Sequence, residues 1–352
     1  MPTPAADLLE TLVREAAGRH ASDLAFEPED DGSLVAMARI DGVRTVLGRI
    51  PATLAGATLA RAKALAALPA YVTDTPQDGR WDGRPFGIPG DVRVAVLPTV
   101  RGQRLALRLP AIGALPAPGD LGLPRTVIRG LSEAVARPQG LVILTGPTGS
   151  GKTTTLHSLL AAEAAARPDR HVLTIEDPVE RRLPGMTQVE ARHDLGFAAA
   201  LSAALRHDPD VLVVGEVRDP ATATACVRAA LTGHLVLTTV HAGRAHEVVP
   251  RLVDMGVDPD LLLPSLVAVV AQRLVRLVHE TCGGRGCSAC SGGFLGRRPL
   301  ADFLVVDEAA RAVLRQGGRP TLLADLDHQA AALVAEGATT SAEIRRLTGA
   351  RA

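Results

Sequence analysis

Lysine is almost missing from this chain. Among 38 basic side chains in 352 residues, only Lys63 and Lys152 are lysine, and every other cation is arginine. In such a sequence each surviving lysine is a candidate for a job that arginine cannot perform. Aromatic residues are scarce as well, with five Phe, one Tyr and one Trp. Proteins that grip single-stranded nucleic acid stack its bases on aromatic rings. Here 38 acidic side chains also cancel the 38 basic ones, so no net charge attracts a polyanion. Nucleic acid is not an expected partner. Four cysteines in a chain of this length are too few for a disulfide framework. No basic, apolar leader opens the sequence. The most apolar run, Leu261 to Val275, is interrupted by Pro264, Gln272 and Arg273 and makes a poor membrane span. A cytoplasmic chain without a transmembrane segment is expected, long enough for two or three domains.

The pattern along the chain gives these domains an order. Leu8, Leu9, Leu12 and Val13 recur at helical spacing within the first eighteen residues. Alternating segments, Ser33 to Ile40 and Val43 to Ile50, flank Asp41-Gly42 and predict a β-hairpin. An alanine-rich helix over 53–68 and strands at Val92–Leu97 and Leu105–Leu109 complete a small α+β domain over residues 1–108. A Pro/Gly-rich linker follows, over 109–125. Short buried-strand runs at 141–145, 172–175, 211–215 and 235–240 then alternate with helical stretches, the βαβ signature of a mostly parallel sheet over 126–276. A Cys/Gly-rich loop over 277–298 and a helical part over 299–352 end the chain.

Gly146-Pro147-Thr148-Gly149-Ser150-Gly151-Lys152-Thr153 follows the apolar strand and opens a helix, with Thr154 next in line. The segment fits G-x-x-x-x-G-K-[ST]. Its glycines let backbone N–H groups turn inward around phosphate oxygens, and the helix N-terminus adds a positive field. Lys152 is placed to reach the β- and γ-phosphates of ATP, and the Thr153 hydroxyl to hold Mg²⁺. The rarity of lysine makes a chance match improbable. Such a loop needs carboxylates. Val211 to Val214 is a buried strand leading through Gly215 to Glu216, the expected place for an acid near the metal. Thr174-Ile175-Glu176-Asp177-Pro178-Val179-Glu180 brings three acids past another strand, at the end where α/β proteins bind ligands. Spacing alone leaves open which of them polarises a water; Glu180 projects furthest along the loop. His234 and His241 flank the strand Leu235–Val240, and each could serve the γ-phosphate or simply be a hydrogen-bonded structural histidine.

Together these residues resemble the type II secretion and type IV pilus ATPases, the secretion "protein E" group. The likeness runs through the phosphate loop, through Thr174–Glu180 as its Asp box, and through Asp208-Pro209-Asp210 to Gly215-Glu216-Val217-Arg218-Asp219 as its atypical Walker B segment. It continues in Leu231-Thr232-Gly233-His234-Leu235-Val236 with His241 as its His box. It extends to Arg39-Ile40-Asp41-Gly42 and Pro76-Gln77-Asp78-Gly79-Arg80 near the N-terminus and to Ala271-Gln272-Arg273-Leu274-Val275-Arg276 further on. The resemblance implies a RecA-like P-loop core with a PAS-like N-terminal α+β domain, assembled as a homohexamer. It implies a motor that drives pilus or pseudopilus assembly at the cytoplasmic face of the inner membrane through a platform protein. By the same resemblance Glu180 is the catalytic base, Glu216 the Walker B acid, and Arg93 and Arg108 the arginines that reach the nucleotide. Departures from the family pattern are Ala25 for a His, Gln103 for a Glu, Arg181 for an aromatic, and Ala242-Gly243-Arg244 for the usual Thr-Asn after His241. A counterpart of the family's first N-terminal domain is not expected.

The family carries two Cys-x-x-Cys pairs that bind zinc. This sequence has one, Cys287-Ser288-Ala289-Cys290, preceded by His279-Glu280-Thr281-Cys282. Imidazole binds Zn²⁺ as thiolate does, so His279, Cys282, Cys287 and Cys290 make a closed and therefore structural set. The alternative is a degenerate pocket with free thiols. Retraction motors generally lack the loop, so its presence favours secretion or extension. Cys226 falls in a helix and is expected to be merely buried. Lys63 has no role comparable to that of Lys152, and Lys63→Arg is expected to be tolerated. Two other readings of the whole remain: a nucleic-acid translocase on the same core, and a nucleotide-binding scaffold that barely hydrolyses ATP.

Overall fold

In the computed structural model, which describes residues 4–191 and 195–349, the chain divides into two units. One comprises the residues up to Ala114 with His279–Gly296, the other Leu115–Val278 with the residues from Arg297 onward.

The first unit holds helices α1 (Pro4–Gly18) and α2 (Ala52–Leu65) and strands β1 (Asp23–Pro28), β2 (Leu34–Ile40), β3 (Val43–Ile50), β4 (Gln77–Asp82), β5 (Asp91–Thr99) and β6 (Gly102–Arg108). They form an antiparallel sheet in the order β3-β2-β1-β6-β5-β4. The α1 stripe Leu9, Leu12, Val13 and Ala16 is buried, the one-sided spacing of a helix laid on a core. The same core holds Phe26, Ile50, Leu105 and Leu107, each at 0% exposure. On β5, Val92, Val94 and Val96 point inward. Arg93 therefore faces outward, directly across the register from Arg108 on β6.

The second unit holds α3 (Arg125–Val135), β7 (Gly140–Thr145), α4 (Lys152–Ala166), β8 (Val172–Glu176), β9 (Thr187–Glu190), α5 (Phe197–Ala204), β10 (Val211–Val214), α6 (Pro220–Leu231), β11 (Leu235–Val240), α7 (Val248–Asp254), α8 (Pro259–Ser265), β12 (Leu266–Val278), β13 (Phe294–Val305, its first residues in the other unit), α9 (Glu308–Arg315), α10 (Leu326–Ala335) and α11 (Ser341–Thr348). The sheet order is β13-β12-β7-β11-β10-β8-β9, with every pair from β12 to β9 parallel. β7, β10 and β11 are buried along their whole length, as expected of strands covered on both faces. Because β7, β8, β10 and β11 run parallel, their C-terminal ends open on one edge of the sheet. The fold is the α/β arrangement of a P-loop core.

The C-terminal strands depart from the sequence reading. The apolar run ending at Val275 is largely β12, and β13 pairs beside it, so helix in the C-terminal part begins only at α9. A continuous apolar run carries no period that separates a buried strand from a buried helix. No helix among the described residues is long and apolar enough to cross a membrane.

Candidate nucleotide site and metal centre

The turn from β7 into α4 is shaped by glycine. Gly146, Gly149 and Gly151 have φ of 138°, 76° and 90°, angles that side chains rarely adopt. A Cβ on Gly146 would lie 2.3 Å from the Gln272 carbonyl oxygen, and one on Gly151 would lie 2.7 Å from Gln272 Nε2. Gln272, 2% exposed on β12, clamps this loop from behind. Its Nε2 donates to Ser150 O at 2.8 Å, and its Oε1 accepts from Thr155 Oγ1 at 2.9 Å. Lys152 is 9% exposed. Its Nζ donates to Gly146 O at 2.8 Å and Pro147 O at 3.0 Å. Burial pushes this ammonium below its ordinary value, with the Glu216 carboxylate opposing and Arg273 adding to the effect. Thr153 and Thr154 are exposed on the first turn of α4. The buried Ser150 hydroxyl has no hydrogen-bond partner. A glycine turn at a helix N-terminus, a confined ammonium and an unsatisfied hydroxyl together fit a phosphate chain.

Two further strand ends converge on the loop. Glu216, two residues past β10, lies 2.8 Å from His241 Nε2 and 2.7 Å from Arg218 Nη2. Burial pushes the Glu216 carboxyl up, but the bond and charge of Arg218 and the contact with His241 outweigh it and hold the group below its ordinary value. His241, one residue past β11, places Nδ1 3.3 Å from Gly146 O. Thr145 at the end of β7 braces the same turn: its Oγ1 lies 2.8 Å from Val240 O and accepts from Ala242 N at 2.7 Å.

The three acids after β8 separate. Glu176 is 6% exposed. It lies 3.1 Å from His157 Nε2 on α4 and accepts from Thr174 Oγ1 at 2.7 Å and Gln188 Nε2 at 3.0 Å. Burial raises its carboxyl, and those bonds bring it below the ordinary value. Asp177 and Glu180 are exposed. Glu176 is thus engaged in internal bonds to α4, β8 and β9.

His234 is placed elsewhere. It precedes β11 at the end opposite the loop, where Leu235 pairs with the first residue of β7, Gly140. Its Nδ1 lies 3.1 Å from Ala229 O. Parallel strands put residues before the strand on one edge and residues after it on the other. His234 therefore lies away from the phosphate loop, hydrogen-bonded to the backbone at the other end of β11. Arg93 and Arg108 belong to the first unit. Sequence reading overlooked His157, Gln188 and Thr145. The first two show only as partners of Glu176, and nothing in their spacing flags them.

In the first unit, His279, Cys282, Cys287 and Cys290 bring their ligand atoms within 4.8 Å of one another. Cys287 Sγ lies 3.4 Å from His279 Nδ1 and 3.7 Å from Cys290 Sγ, which lies 3.9 Å from Cys282 Sγ. A tetrahedral zinc with thiolate bonds of about 2.3 Å has ligand edges of roughly 3.8 Å, so the set fits the ion. Burial raises the Cys282 and Cys290 thiols, but backbone N–H groups of Gly286 and Gly284, and of Cys287 and Gly293, bring both below the ordinary value. The loop is tight enough that a Cβ on Gly293 would meet Gly284 O at 2.1 Å.

Residues 2–346 match the family model of type II/IV secretion system proteins. The chain is 40% identical to the type II secretion system protein HxcR of Pseudomonas aeruginosa, over 98% of this chain and 77% of that protein. It is 36% identical to the type IV pilus assembly ATPase PilB of Thermus thermophilus, over 90% of this chain and 39% of the longer relative. Among solved structures, the pilus retraction motor PilT with bound ADP matches with a TM-score of 0.62 at 27% identity, over 97% of this chain and 93% of that one.

Proposed function

We propose, from the premise that this chain belongs to the type II/IV secretion system protein family, that it is the motor ATPase that powers pilus or pseudopilus assembly. Membership makes it a secretion or pilus ATPase. The finer reading adds a homohexamer held at the cytoplasmic face of the inner membrane by a platform protein.

The observation that carries it is the meeting of three strand ends around one glycine loop. The loop amides and Lys152 hold the β- and γ-phosphates, and a guanidinium in place of Lys152 would not fit between Gly146 and Pro147. Thr153 and Glu216 are the residues that would hold Mg²⁺, which neutralises phosphate charge when bound. Glu180, exposed on the loop beyond Pro178, takes the proton of the attacking water. His241 touches both Glu216 and the carbonyl of Gly146 and reports on the γ-phosphate. Arg93 and Arg108 supply positive charge for the transferring phosphoryl group. The His279–Cys290 set binds one structural Zn²⁺, whose presence favours an assembly motor over a retraction motor.

The test is one assay on three proteins. Lys152→Ala is expected to lose ATP binding and hydrolysis. Glu180→Gln is expected to bind ATP as the parent does and to lose turnover by ~10²-fold or more. Equal, very slow hydrolysis by the parent and by Glu180→Gln would instead identify a nucleotide-binding scaffold.

A further inference from the structure

The turn that carries His241 is fastened to the C-terminal part of the second unit by one side chain, Arg244. Its Nε donates to Asp302 Oδ2 at 2.7 Å and its Nη2 to Asp302 Oδ1 at 3.1 Å, a two-pronged grip on β13. Its Nη1 donates to Asp327 Oδ2 at 2.7 Å on the first turn of α10. Asp325, the residue that caps α10, lies 3.7 Å away.

Asp302 is fully buried. It also accepts from Leu326 N at 2.9 Å and lies 3.4 Å from Ala245 N. One buried carboxylate thus collects the guanidinium, the turn's own backbone and the start of α10. A carboxylate so far from water needs its cation, which removes Arg244's freedom to leave. The rest of the turn has little slack. Thr145 holds Ala242, Arg273 Nη2 donates to Gly243 O at 3.1 Å, and Glu247 Oε2 accepts from Gly243 N and Arg244 N. A Cβ on Gly243 would stand 2.7 Å from that Glu247 oxygen. Arg273 is next in sequence to Gln272, the clamp behind the phosphate loop.

We propose that Arg244 is a positioning residue for ATP hydrolysis, tying the turn after β11 to Asp302 and Asp327 so that His241 stays against Glu216. This rests on the reading that His241 and Glu216 serve hydrolysis. Arg244 touches neither of them. It fixes the backbone three residues past His241, and through α10 it makes the C-terminal helices a handle on that turn.

The experiment is a double-variant cycle on the full chain, with Arg244→Ala, His241→Ala and the pair, reading kcat, the KM for ATP and binding of a fluorescent ADP analogue. Arg244→Ala is expected to lower kcat about 10- to 100-fold, the cost of a misplacement near 1 Å, while KM and ADP binding stay within about threefold. In the His241→Ala background the same change is expected to add nothing. Arg244→Lys, whose ammonium meets one carboxylate at a time, is expected to recover part of the loss.

Full activity in Arg244→Ala with an impaired His241→Ala overturns the positioning role and leaves the site reading standing. Full activity in His241→Ala overturns the site reading and the positioning role with it. Independent, multiplying losses in the double variant overturn it too, because Arg244 would then act apart from His241. Should Arg244→Ala fail to fold, Arg244→Lys and Asp327→Asn, the latter at an exposed carboxylate, carry the same cycle.

Discussion

Glu216 and His241 leave different strands, β10 and β11, and meet at 2.8 Å beside the carbonyl of Gly146. Two buried parallel strands aim them at each other, and Arg218 on the far side of the carboxylate keeps it charged. Glu216→Gln preserves the shape and an oxygen acceptor but removes the charge. It is expected to bind nucleotide within a few-fold of the parent, to lose hydrolysis by ~10²-fold or more, and to need more Mg²⁺ for half-maximal rate. Magnesium titrations of the steady-state rate check this. An unchanged magnesium requirement would move the metal role away from Glu216.

The second lysine, for which the sequence offers no special role, lies in the core of the first unit. Lys63 is 1% exposed in α2. Its Nζ donates to Val72 O at 2.6 Å, and Gln77 and Gln103 approach the same carbonyl at 3.3 Å. Burial pushes its ammonium below the ordinary value. The side chain pins the segment after α2 from inside the core, where a bulkier planar guanidinium would have to displace packed neighbours. Lys63→Arg is therefore expected to destabilise the first unit by about 1–3 kcal/mol. Urea unfolding followed by the lone Trp81, itself buried in that unit, measures it, and an unchanged midpoint would show that the pocket accommodates the guanidinium.

What made the nucleotide site legible was local pattern. The glycine–lysine spacing, the run Val211–Val214 ending near Glu216, and His241 just past Val240 all lie at ends of strands whose buried runs are visible in the sequence. Parallel pairing then brings those ends together without further information. What stayed hidden depends on partners distant in the chain. Gln272 reads as one polar residue in an apolar run until β12 lies beside β7. Glu176 looks equivalent to Glu180 until His157 and Gln188 are seen to consume it. His234 looked equivalent to His241 because both flank one strand, and only the strand's direction separates them. β1 and β4 were missed because their short segments carry too little alternation. Lys63 gave no sign of burial because a charged side chain in a helix is usually solvated.

Glu343 gives the molecule an acid-sensitive lock. It is 2% exposed, and its carboxylate accepts from Arg276 Nη2 at 2.7 Å and from Arg346 Nε and Nη2 at 2.8 and 2.7 Å, joining α11 to β12. Burial pushes the carboxyl up, but the bonds from Arg346 and Arg276 bring it from an ordinary 4.5 down to about 2. A group held lower in the folded state stabilises the fold above its unfolded value and ceases to do so as pH falls through its folded value. The contribution is expected to be complete above pH 5, roughly 2–3 kcal/mol, and to drain away toward pH 2. Glu343→Gln should be less stable at pH 7, and the gap should close as the pH is lowered. Chemical unfolding at a series of pH values tests this, and a gap independent of pH would assign the loss to packing instead.

The four-ligand cluster predicts a thiol count. Cys282, Cys287 and Cys290 share the site with His279, whereas Cys226 is 1% exposed and its thiol is pushed by burial up to about 12. Thiolates bound to zinc react slowly, and a buried thiol of such high value hardly reacts at all. The native chain, free of any affinity tag, is expected to carry one equivalent of zinc and to show almost no reactive thiol. Chelation at neutral pH should release the metal and expose the three loop cysteines, with Cys226 joining only on unfolding. The loop also packs on the hairpin β2–β3 of its own unit, through Thr45 Oγ1 and Ser291 Oγ at 3.1 Å and through Gly296 N donating to Asp41 Oδ2 at 3.0 Å. Losing the metal should therefore loosen that hairpin too, as faster amide exchange over residues 41–46. His279→Ala separates the contributions. A Cys₃ set that still held a full equivalent of zinc would show the imidazole to be a bystander. Less than about a tenth of an equivalent in the parent would mean that the shortened loop has lost the ion altogether.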